Sequence, residues 1–203
     1  SGEANCVCQS TSGYIWIGTD NGIYRYDVSE FTLFPLDSDE DGTKYSINCI
    51  YLTSDDKLYV GTDNYGLYVY DNGAFNRVAE TYNLGVSTIN AMYEDDKDQL
   101  WLASSSGIYY LTSDGVKLVD DEGISGYNIG NISGYDGTIY ATANNDVLIR
   151  VDENGEITVT SKSSYGIDDI NSLYIDENGT RYYGSAGYSI LTINSKGKVS
   201  VIS

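Results

Sequence analysis

The sequence predicts an all-β fold made of five repeated four-stranded antiparallel units. A hairpin pattern at residues 13–27, with two aromatic-rich runs around an Asp-Asn-Gly tip, recurs along the chain. The copies are spaced by roughly 42 residues, the period of β-propeller blades. The 203 residues include 22 glycines and one proline, and no helical periodicity is evident. We therefore predict a β-propeller, either a closed five-bladed ring or part of a larger propeller.

The first strand of each unit, strand A, carries an apolar-Asn-x-apolar pattern. It lies at residues 4–7, 47–50, 89–92, 129–132 (degraded) and 170–173. These strands divide a single domain, residues 1–203, into repeats at approximately 4–46, 47–88, 89–128, 129–169 and 170–203. The recurring asparagines are Asn5, Asn48, Asn90 and Asn171. We expect their amides to bind backbone groups and not a ligand.

Strand B follows about eleven residues later and carries an aromatic residue, followed two positions on by a small residue. The aromatic residues are Trp16, Tyr59, Trp101, Tyr140 and Tyr182. The small ones are Gly18, Gly61, Ala103, Thr142 and Gly184. Consecutive apolar residues in strand B predict that both faces are buried, as stacked blades require. We interpret the aromatic residues as packing between blades.

Strands C and D complete each unit after polar turns. Strand C is predicted at 23–26, 67–70, 108–111, 147–150 and 190–193. Strand D is predicted at 31–36, 74–78, 116–119, 156–160 and 198–202. Four strands of this length use almost the whole period.

Composition excludes several functions. A formal charge of −19 argues against binding nucleic acid or an anionic membrane surface. The absence of histidine excludes His-based acid-base catalysis and the Ser-His and Cys-His nucleophiles. Cys6, Cys8 and Cys49 lack CxxC spacing, so we expect buried free thiols and neither zinc nor a disulfide framework. The chain also lacks an apolar run long enough to cross a membrane.

At its hairpins the chain resembles the two-component regulator propeller repeats. Residues 12–27 are a near-complete copy of the repeat hallmark, and residues 56–71 are a good copy with one insertion. Residues 99–104 with Gly107 and Ile108 are recognisable, and the last two units keep only the framework.

This resemblance implies an extracytoplasmic, non-catalytic sensor domain of a bacterial membrane-anchored receptor with a kinase, response-regulator or diguanylate cyclase output. Many members in gut bacteria are similar to sensors of polysaccharide breakdown products. Propellers of the family usually have seven blades.

A ligand site is predicted at the end of the sheets where B–C and D–A connections lie. Aromatic rings beside short amide and carboxylate side chains suit a sugar or another small ligand, although tight turns require the same polar residues. The candidates are Asp20, Asn21, Asp63, Asn64, Tyr65, Asn144, Asn145 and Tyr188 in B–C tips, with Tyr45, Tyr82, Tyr127 and Tyr165 in D–A loops.

A calcium site is a further candidate. Asp37, Asp39 and Asp41, followed by Gly42, have the ligand spacing of an EF-hand loop. The twelfth position is Asn48 where the motif has a bidentate Glu, so a solvated acidic loop is the competing interpretation.

Three functions remain open at this point. A sensor propeller would bind a small ligand, plausibly an oligosaccharide. A scaffold propeller would instead bind another protein, a second propeller or a second copy of the chain. A catalytic propeller is disfavoured, because we find no pair of carboxylates in environments that would separate their pKa values.

Overall fold

The computed structural model describes residues 2–36, 44–78, 86, 88–119, 123–124, 126–187 and 189–202. Its strands form five four-stranded antiparallel sheets. Sheet 1 contains β1 (Ala4–Gln9), β2 (Ile15–Thr19), β3 (Gly22–Tyr26) and β4 (Phe31–Phe34). Sheet 2 contains β5 (Ile47–Leu52), β6 (Leu58–Thr62), β7 (Leu67–Asp71) and β8 (Ala74–Arg77). Sheet 3 contains β9 (Ile89–Glu94), β10 (Leu100–Ser104), β11 (Gly107–Thr112) and β12 (Gly115–Leu118).

The last two sheets repeat the arrangement. Sheet 4 contains β13 (Ile129–Tyr135), β14 (Thr138–Ala143), β15 (Val147–Val151) and β16 (Ile157–Ser161). Sheet 5 contains β17 (Ile170–Ile175), β18 (Arg181–Ser185), β19 (Ile190–Ile193) and β20 (Val199–Ile202). In every sheet the strands pair in sequence order, as in a propeller blade. This confirms the predicted all-β architecture of five four-stranded units.

A hydroxyl group at the end of strand B closes the B–C turn. The Oγ1 of Thr19 donates to the carbonyl of Gly22 (2.9 Å), and that of Thr62 donates to Gly66 (2.7 Å). In the third sheet the Oγ of Ser104 donates to Gly107 (3.0 Å). All three hydroxyl residues are buried. The Gly-Thr and Ala-Ser pairs of the repeat therefore combine a packing residue with a residue that fastens the turn.

The recurring asparagine of strand A lies at a break in strand register. In β1 the pairing shifts between Ala4 and Cys6, and in β5 it shifts between Ile47 and Cys49. The Nδ2 of Asn5 donates to the carbonyl of Ile47 (3.1 Å), and that of Asn48 donates to Ile89 (3.2 Å). Each amide thus binds the backbone of the next A strand, which confirms the predicted backbone role for these two asparagines.

Contacts divide the chain into two compact units. Unit 1 comprises Ser1–Met92 with Thr112–Val116, and unit 2 comprises Tyr93–Leu111 with Lys117–Ser203. The core of unit 1 includes Trp16, Ile47, Leu58, Tyr68 and Phe75. In unit 2, the last two sheets share a cluster that includes Leu148, Ile170, Tyr183 and Leu191.

Small residues in strand B admit side chains of the next sheet in unit 1. A Cβ placed on Gly18 would lie 2.5 Å from the Cγ2 of Ile47, and one on Gly61 would lie 2.8 Å from that of Ile89. The predicted role of these glycines in packing between sheets is therefore confirmed.

The three cysteines, all within the described residues, are free thiols. Burial raises the pKa of Cys6 to about 11, and it also raises the pKa values of Cys8 and Cys49. These thiols are therefore neutral at physiological pH, as expected of packing residues. The part of the chain that the structure describes contains no helix of the length and hydrophobicity that a membrane span needs.

Candidate functional site

In unit 1 the predicted B–C residues bind neighbouring loops. Asp20 accepts a hydrogen bond from the Nδ2 of Asn5 (2.8 Å). Asp63 accepts one from the hydroxyl of Thr88 (3.2 Å), which in turn accepts the backbone N–H of Asn64 (3.2 Å). Asn21 donates its backbone N–H to the Oγ1 of Thr19 (3.1 Å). Each residue thus takes part in holding its turn.

Tyr45 and Tyr65 are brought together by the fold. Their rings meet edge to face with centroids 4.5 Å apart. Tyr45 is buried at 7% exposure, whereas Tyr65 is 36% exposed. Tyr65 is consequently the ring of this pair that a ligand at the B–C end could reach.

In unit 2 the predicted residues again join loops. The Oδ1 of Asn144 accepts a hydrogen bond from the backbone N–H of Asn128 (3.0 Å). The carbonyl of Asn145 accepts one from the backbone N–H of Ile170 (3.0 Å). Tyr165 packs against the core cluster of the last two sheets, and Tyr127 is partly buried.

A basic group also lies in these loops. Lys162 forms an ion pair with Asp169, and the hydrogen bond that its ammonium group donates to this carboxylate raises the lysine pKa. The charge of Lys162 is therefore compensated within its own loop.

The remaining candidates lie outside the described residues. They are Tyr82, Tyr188, Asp37, Asp39 and Asp41. Within the described residues there is no cluster of three or more His, Cys, Asp or Glu side chains that could hold a metal ion. The calcium site stays a prediction.

A cleft in unit 2 opens at the other end of the sheets, where strand A turns into B and C into D. We call it the Trp101 cleft. Its volume is about 580 Å³, within the usual range of small-molecule sites. Apolar side chains of sheets 3 and 4 line it together with Trp101: Leu118, Val119, Ile139, Val151 and Ile157.

An aromatic pair forms one part of the cleft. The rings of Trp101 and Tyr110 have centroids 5.3 Å apart. The indole Nε1 of Trp101 donates to the Oδ2 of Asp95 (2.8 Å), while the Oδ1 of Asp95 accepts the backbone N–H of Lys97 (2.9 Å) and of Gln99 (2.9 Å). A turn carboxylate therefore fixes the orientation of the indole.

Comparison with unit 1 explains why this cleft is open. Trp16 and Trp101 hold the same register position, opposite Arg25 and Tyr110 respectively. Three rings surround Trp16, with centroids at 5.0 Å for Phe34, 5.0 Å for Tyr70 and 5.6 Å for Phe75. The cleft beside Trp16 has a volume of only about 190 Å³.

Around Trp101 the register-equivalent positions carry aliphatic residues. Val119 takes the place of Phe34, Val151 that of Tyr70, and Ile157 that of Phe75. Trp16 is 3% exposed, whereas Trp101 is only partly buried. With aliphatic residues in place of three rings, the position that is closely packed in sheet 1 borders a cleft in sheet 3. Trp101 is less buried than Trp16, and its role in packing between blades stays a prediction.

Polar groups surround the apolar floor. Lys97, Glu153 and Asn154 are exposed at the rim, and Asp152 is partly buried. The Oδ1 of Asp152 accepts the backbone N–H of Asn154 (2.9 Å) and of Glu156 (2.9 Å), so this carboxylate supports its turn. The rim side chains offer both donors and acceptors to a ligand that stacks on the aromatic pair.

Sequence reasoning did not identify the Trp101 cleft. Its signal was present as the change from Phe34, Tyr70 and Phe75 to aliphatic residues two repeats later. Alignment of the repeats by strand register, and not by the hairpin motif alone, would have detected it.

No protein-family model matches the chain, and no curated protein sequence matches it. Its fold is similar to several solved structures. The extracellular domain of the hybrid two-component system BT3049 from B. thetaiotaomicron has a TM-score of 0.81 at 15% identity, over 98% of this chain and 30% of that chain. The extracellular domain of the one-component system BT4673 from the same organism has a TM-score of 0.78 at 19% identity, over 100% of this chain and 31% of that chain.

An enzyme shares the same fold. A catalytically inactive histidine-to-alanine variant of virginiamycin B lyase from Staphylococcus aureus, solved with Quinupristin, has a TM-score of 0.78 at 16% identity. The alignment covers 99% of this chain and 70% of the lyase. The chain spans about a third of the length of the two extracellular domains. The five four-stranded sheets of this chain match the blades of a β-propeller, and its fold is similar to the extracellular domains of these one- and two-component systems.

Proposed function

We propose that this chain is the extracytoplasmic, non-catalytic sensor propeller of a bacterial signal-transduction receptor and that it binds a carbohydrate in the Trp101 cleft. The observation that carries the proposal is the replacement of three packing rings by aliphatic residues around Trp101. Structural similarity to extracellular domains of two-component systems supports the sensor role and the extracytoplasmic location. The membrane anchor and the output domain belong to the proposed receptor as a whole.

The chemistry of the cleft fits a sugar ring. A pyranose has a face of C–H groups that packs on aromatic rings, and it carries hydroxyls that both donate and accept hydrogen bonds. Trp101 and Tyr110 supply the rings, and Lys97, Glu153 and Asn154 supply the polar partners at the rim. The carbohydrate class therefore matches the apolar floor and the mixed rim together.

Two observations support a binding role without catalysis. The inactive lyase variant lacks a histidine, and this chain contains none. The carboxylates of Asp95 and Asp152 in the cleft accept hydrogen bonds from turn N–H groups and, for Asp95, from Trp101. These hydrogen bonds hold the turns, whereas glycoside hydrolysis needs one carboxyl group that is free to act as an acid and one that is free to act as a base or nucleophile.

The test restores the aromatic residues of unit 1. Val119→Phe combined with Val151→Tyr should fill the cleft while preserving the fold, because sheets 1 and 2 already hold these residues at the same register. A carbohydrate that binds the wild type should raise its melting temperature and give saturable heat in calorimetry. The filled variant should lose both effects.

A matched control is Phe31→Ala, which alters a side chain that is 63% exposed outside the cleft. It should bind the sugar as the wild type does. If the filled variant binds the sugar as tightly as the wild type does, the ligand does not bind in the Trp101 cleft. If no oligosaccharide of a test panel binds the wild type, the ligand is not a carbohydrate.

A scaffold function is the second candidate. The last strand, β20, exposes apolar side chains at 42% for Val199, 46% for Val201 and 57% for Ile202. Exposed apolar surface of this kind favours a protein contact, either with a second propeller or with another copy of the chain. Val201→Asp would weaken such self-association in analytical ultracentrifugation and would leave sugar binding intact.

A further inference from the structure

The smaller cleft of unit 1 contains an arginine whose buried Nε has no hydrogen-bond acceptor among the described residues. Arg25 lies in β3 opposite Trp16. Its guanidinium carbon is 4.4 Å from the ring centroid of Tyr14 and 4.8 Å from that of Phe34. The two rings hold the cation by cation–π attraction, which fixes the plane of the guanidinium without using its N–H groups.

One N–H group of Arg25 is unsatisfied within the described residues. Its Nε is buried without a hydrogen-bond partner, and no ion pair is formed by its guanidinium in that part of the chain. A buried donor without an acceptor is costly, and arginine stays charged at all physiological pH values. Sheet 3 carries Tyr110 at this register position, so the strand itself does not require an arginine.

The same cleft contains an acid and two hydroxyl groups. Asp56 reaches it from the A–B turn of sheet 2, where its φ of 65° places it in the left-handed region. The Oδ1 of Asp56 accepts the hydroxyl of Thr11 (2.7 Å), which leaves its Oδ2 for another donor. The Oγ atoms of Ser10 and Ser12 lie 2.9 Å apart in the adjacent turn.

We propose that this cleft, the Arg25 cleft, binds a small zwitterion of the α-amino acid class. The guanidinium would take the carboxylate, since its planar donors match the two oxygens, and the Oδ2 of Asp56 would take the ammonium group. Ser10 and Ser12 supply further hydroxyls beside these charges.

A zwitterion fits the charges better than a simple anion does. The chain carries a net charge of −19, and Asp56 lies in the same cleft as Arg25, so a plain carboxylate meets repulsion. The volume of about 190 Å³ also favours a ligand smaller than those of ordinary small-molecule pockets. Amino acids with short side chains satisfy both conditions.

The test compares ligands that differ by one charged group. Calorimetry on the full chain would use L-alanine, its methyl ester, which lacks the carboxylate, and propionate, which lacks the ammonium group. L-alanine should bind saturably, and both analogues should bind at least about 10-fold more weakly. If propionate binds as tightly as L-alanine does, the cleft recognises a simple carboxylate and not an amino acid, and the proposal is overturned.

The variants assign the two charges. Arg25→Gln should weaken L-alanine binding by about 10- to 100-fold, and Arg25→Lys, which keeps the charge but loses the planar fork, should recover it only in part. Asp56→Asn should abolish the preference for L-alanine over propionate. Unchanged affinity in Arg25→Gln would overturn the proposal.

Arg150 provides a matched control. It occupies the register position of Arg25 in sheet 4, opposite Tyr140, and lies 3.7 Å from the carboxylate of Asp152. Arg150→Gln should leave L-alanine binding unchanged. The Arg25 cleft belongs to unit 1, so failure of this proposal would not affect the Trp101 cleft.

Discussion

The ring centroids of Trp16 in β2 and Tyr70 in β7 lie 5.0 Å apart, and this aromatic contact helps to join the first two sheets. Phe34 and Phe75 complete the surroundings of the indole. The same register position in sheet 3 holds Trp101 without such rings. The two tryptophans therefore differ in packing although the sequence presents them alike.

Replacement of the two tryptophans should reveal this difference in packing. Trp16→Ala should lower the free energy of unfolding by about 3 to 5 kcal/mol, because it removes a buried aromatic side chain. Trp101→Ala should cost about 2 kcal/mol or less, since its ring is partly solvated and lines an open cleft. Urea unfolding followed by circular dichroism measures both values. Equal losses would contradict the difference in packing.

An added methyl group should disturb the contact between sheets 1 and 2. In Gly18→Ala the new Cβ meets Ile47 at 2.5 Å, and the buried isoleucine cannot move freely. We expect a loss of about 1 to 3 kcal/mol.

Gly130→Ala serves as the control for this substitution. Gly130 has its nearest neighbour 3.8 Å from an added Cβ, in ordinary van der Waals contact. The free energy of unfolding of the Gly130→Ala variant should differ from that of the wild type by less than about 0.5 kcal/mol. If Gly18→Ala leaves the free energy of unfolding unchanged, sheets 1 and 2 can move apart at this position without loss of stability.

The strand pattern was predictable because five copies repeat it. Asparagine, aromatic and small residues recur at fixed spacing, and the register later places them where the repeat requires. The clefts could not be predicted in this way. The cavity beside Trp101 depends on side chains from two sheets, which become neighbours only when the register is known.

The predicted loop residues illustrate a different limit. Asn64 and Asn144 adopt φ values of 69° and 51°, and such left-handed positions favour asparagine for backbone reasons. The same amide is suitable for binding a sugar. Sequence alone cannot separate the two uses, because one residue type satisfies both demands.

Tyr65→Ala tests the predicted site at the B–C end. The ring of Tyr65 covers Tyr45 from outside, so its removal should lower the melting temperature only slightly. If a sugar binds at this end, calorimetry should show weaker binding in the variant. Full sugar affinity in Tyr65→Ala would reject this end of the sheets as the binding site.

Alkaline pH should reveal the partly buried thiol of Cys6. Burial raises its pKa from 9.0 to about 11, so the folded chain holds the proton more tightly than the unfolded chain does. This contribution to stability is complete below pH 9 and is lost as the pH rises through 11. The difference in unfolding free energy between the wild type and Cys6→Ala should therefore shrink over this interval.

Val60→Ala is the control for the thiol, because Val60 is fully buried and does not titrate. Its cost should stay constant between pH 8 and pH 11, the range that contains the Cys6 titration. A Cys6→Ala difference that stays equally constant would contradict the raised pKa.

The amide contacts of Asn5 with Ile47 and of Asn48 with Ile89 form a chain of donors across three successive A strands. Loss of the middle strand would leave the amide of Asn5 without its acceptor and the carbonyl of Ile89 without its donor. Nearest-neighbour coupling of this kind makes repeats melt together and not one at a time. Amide protons in β1 and β5 should therefore exchange with solvent at a common free energy of opening, as one cooperative segment.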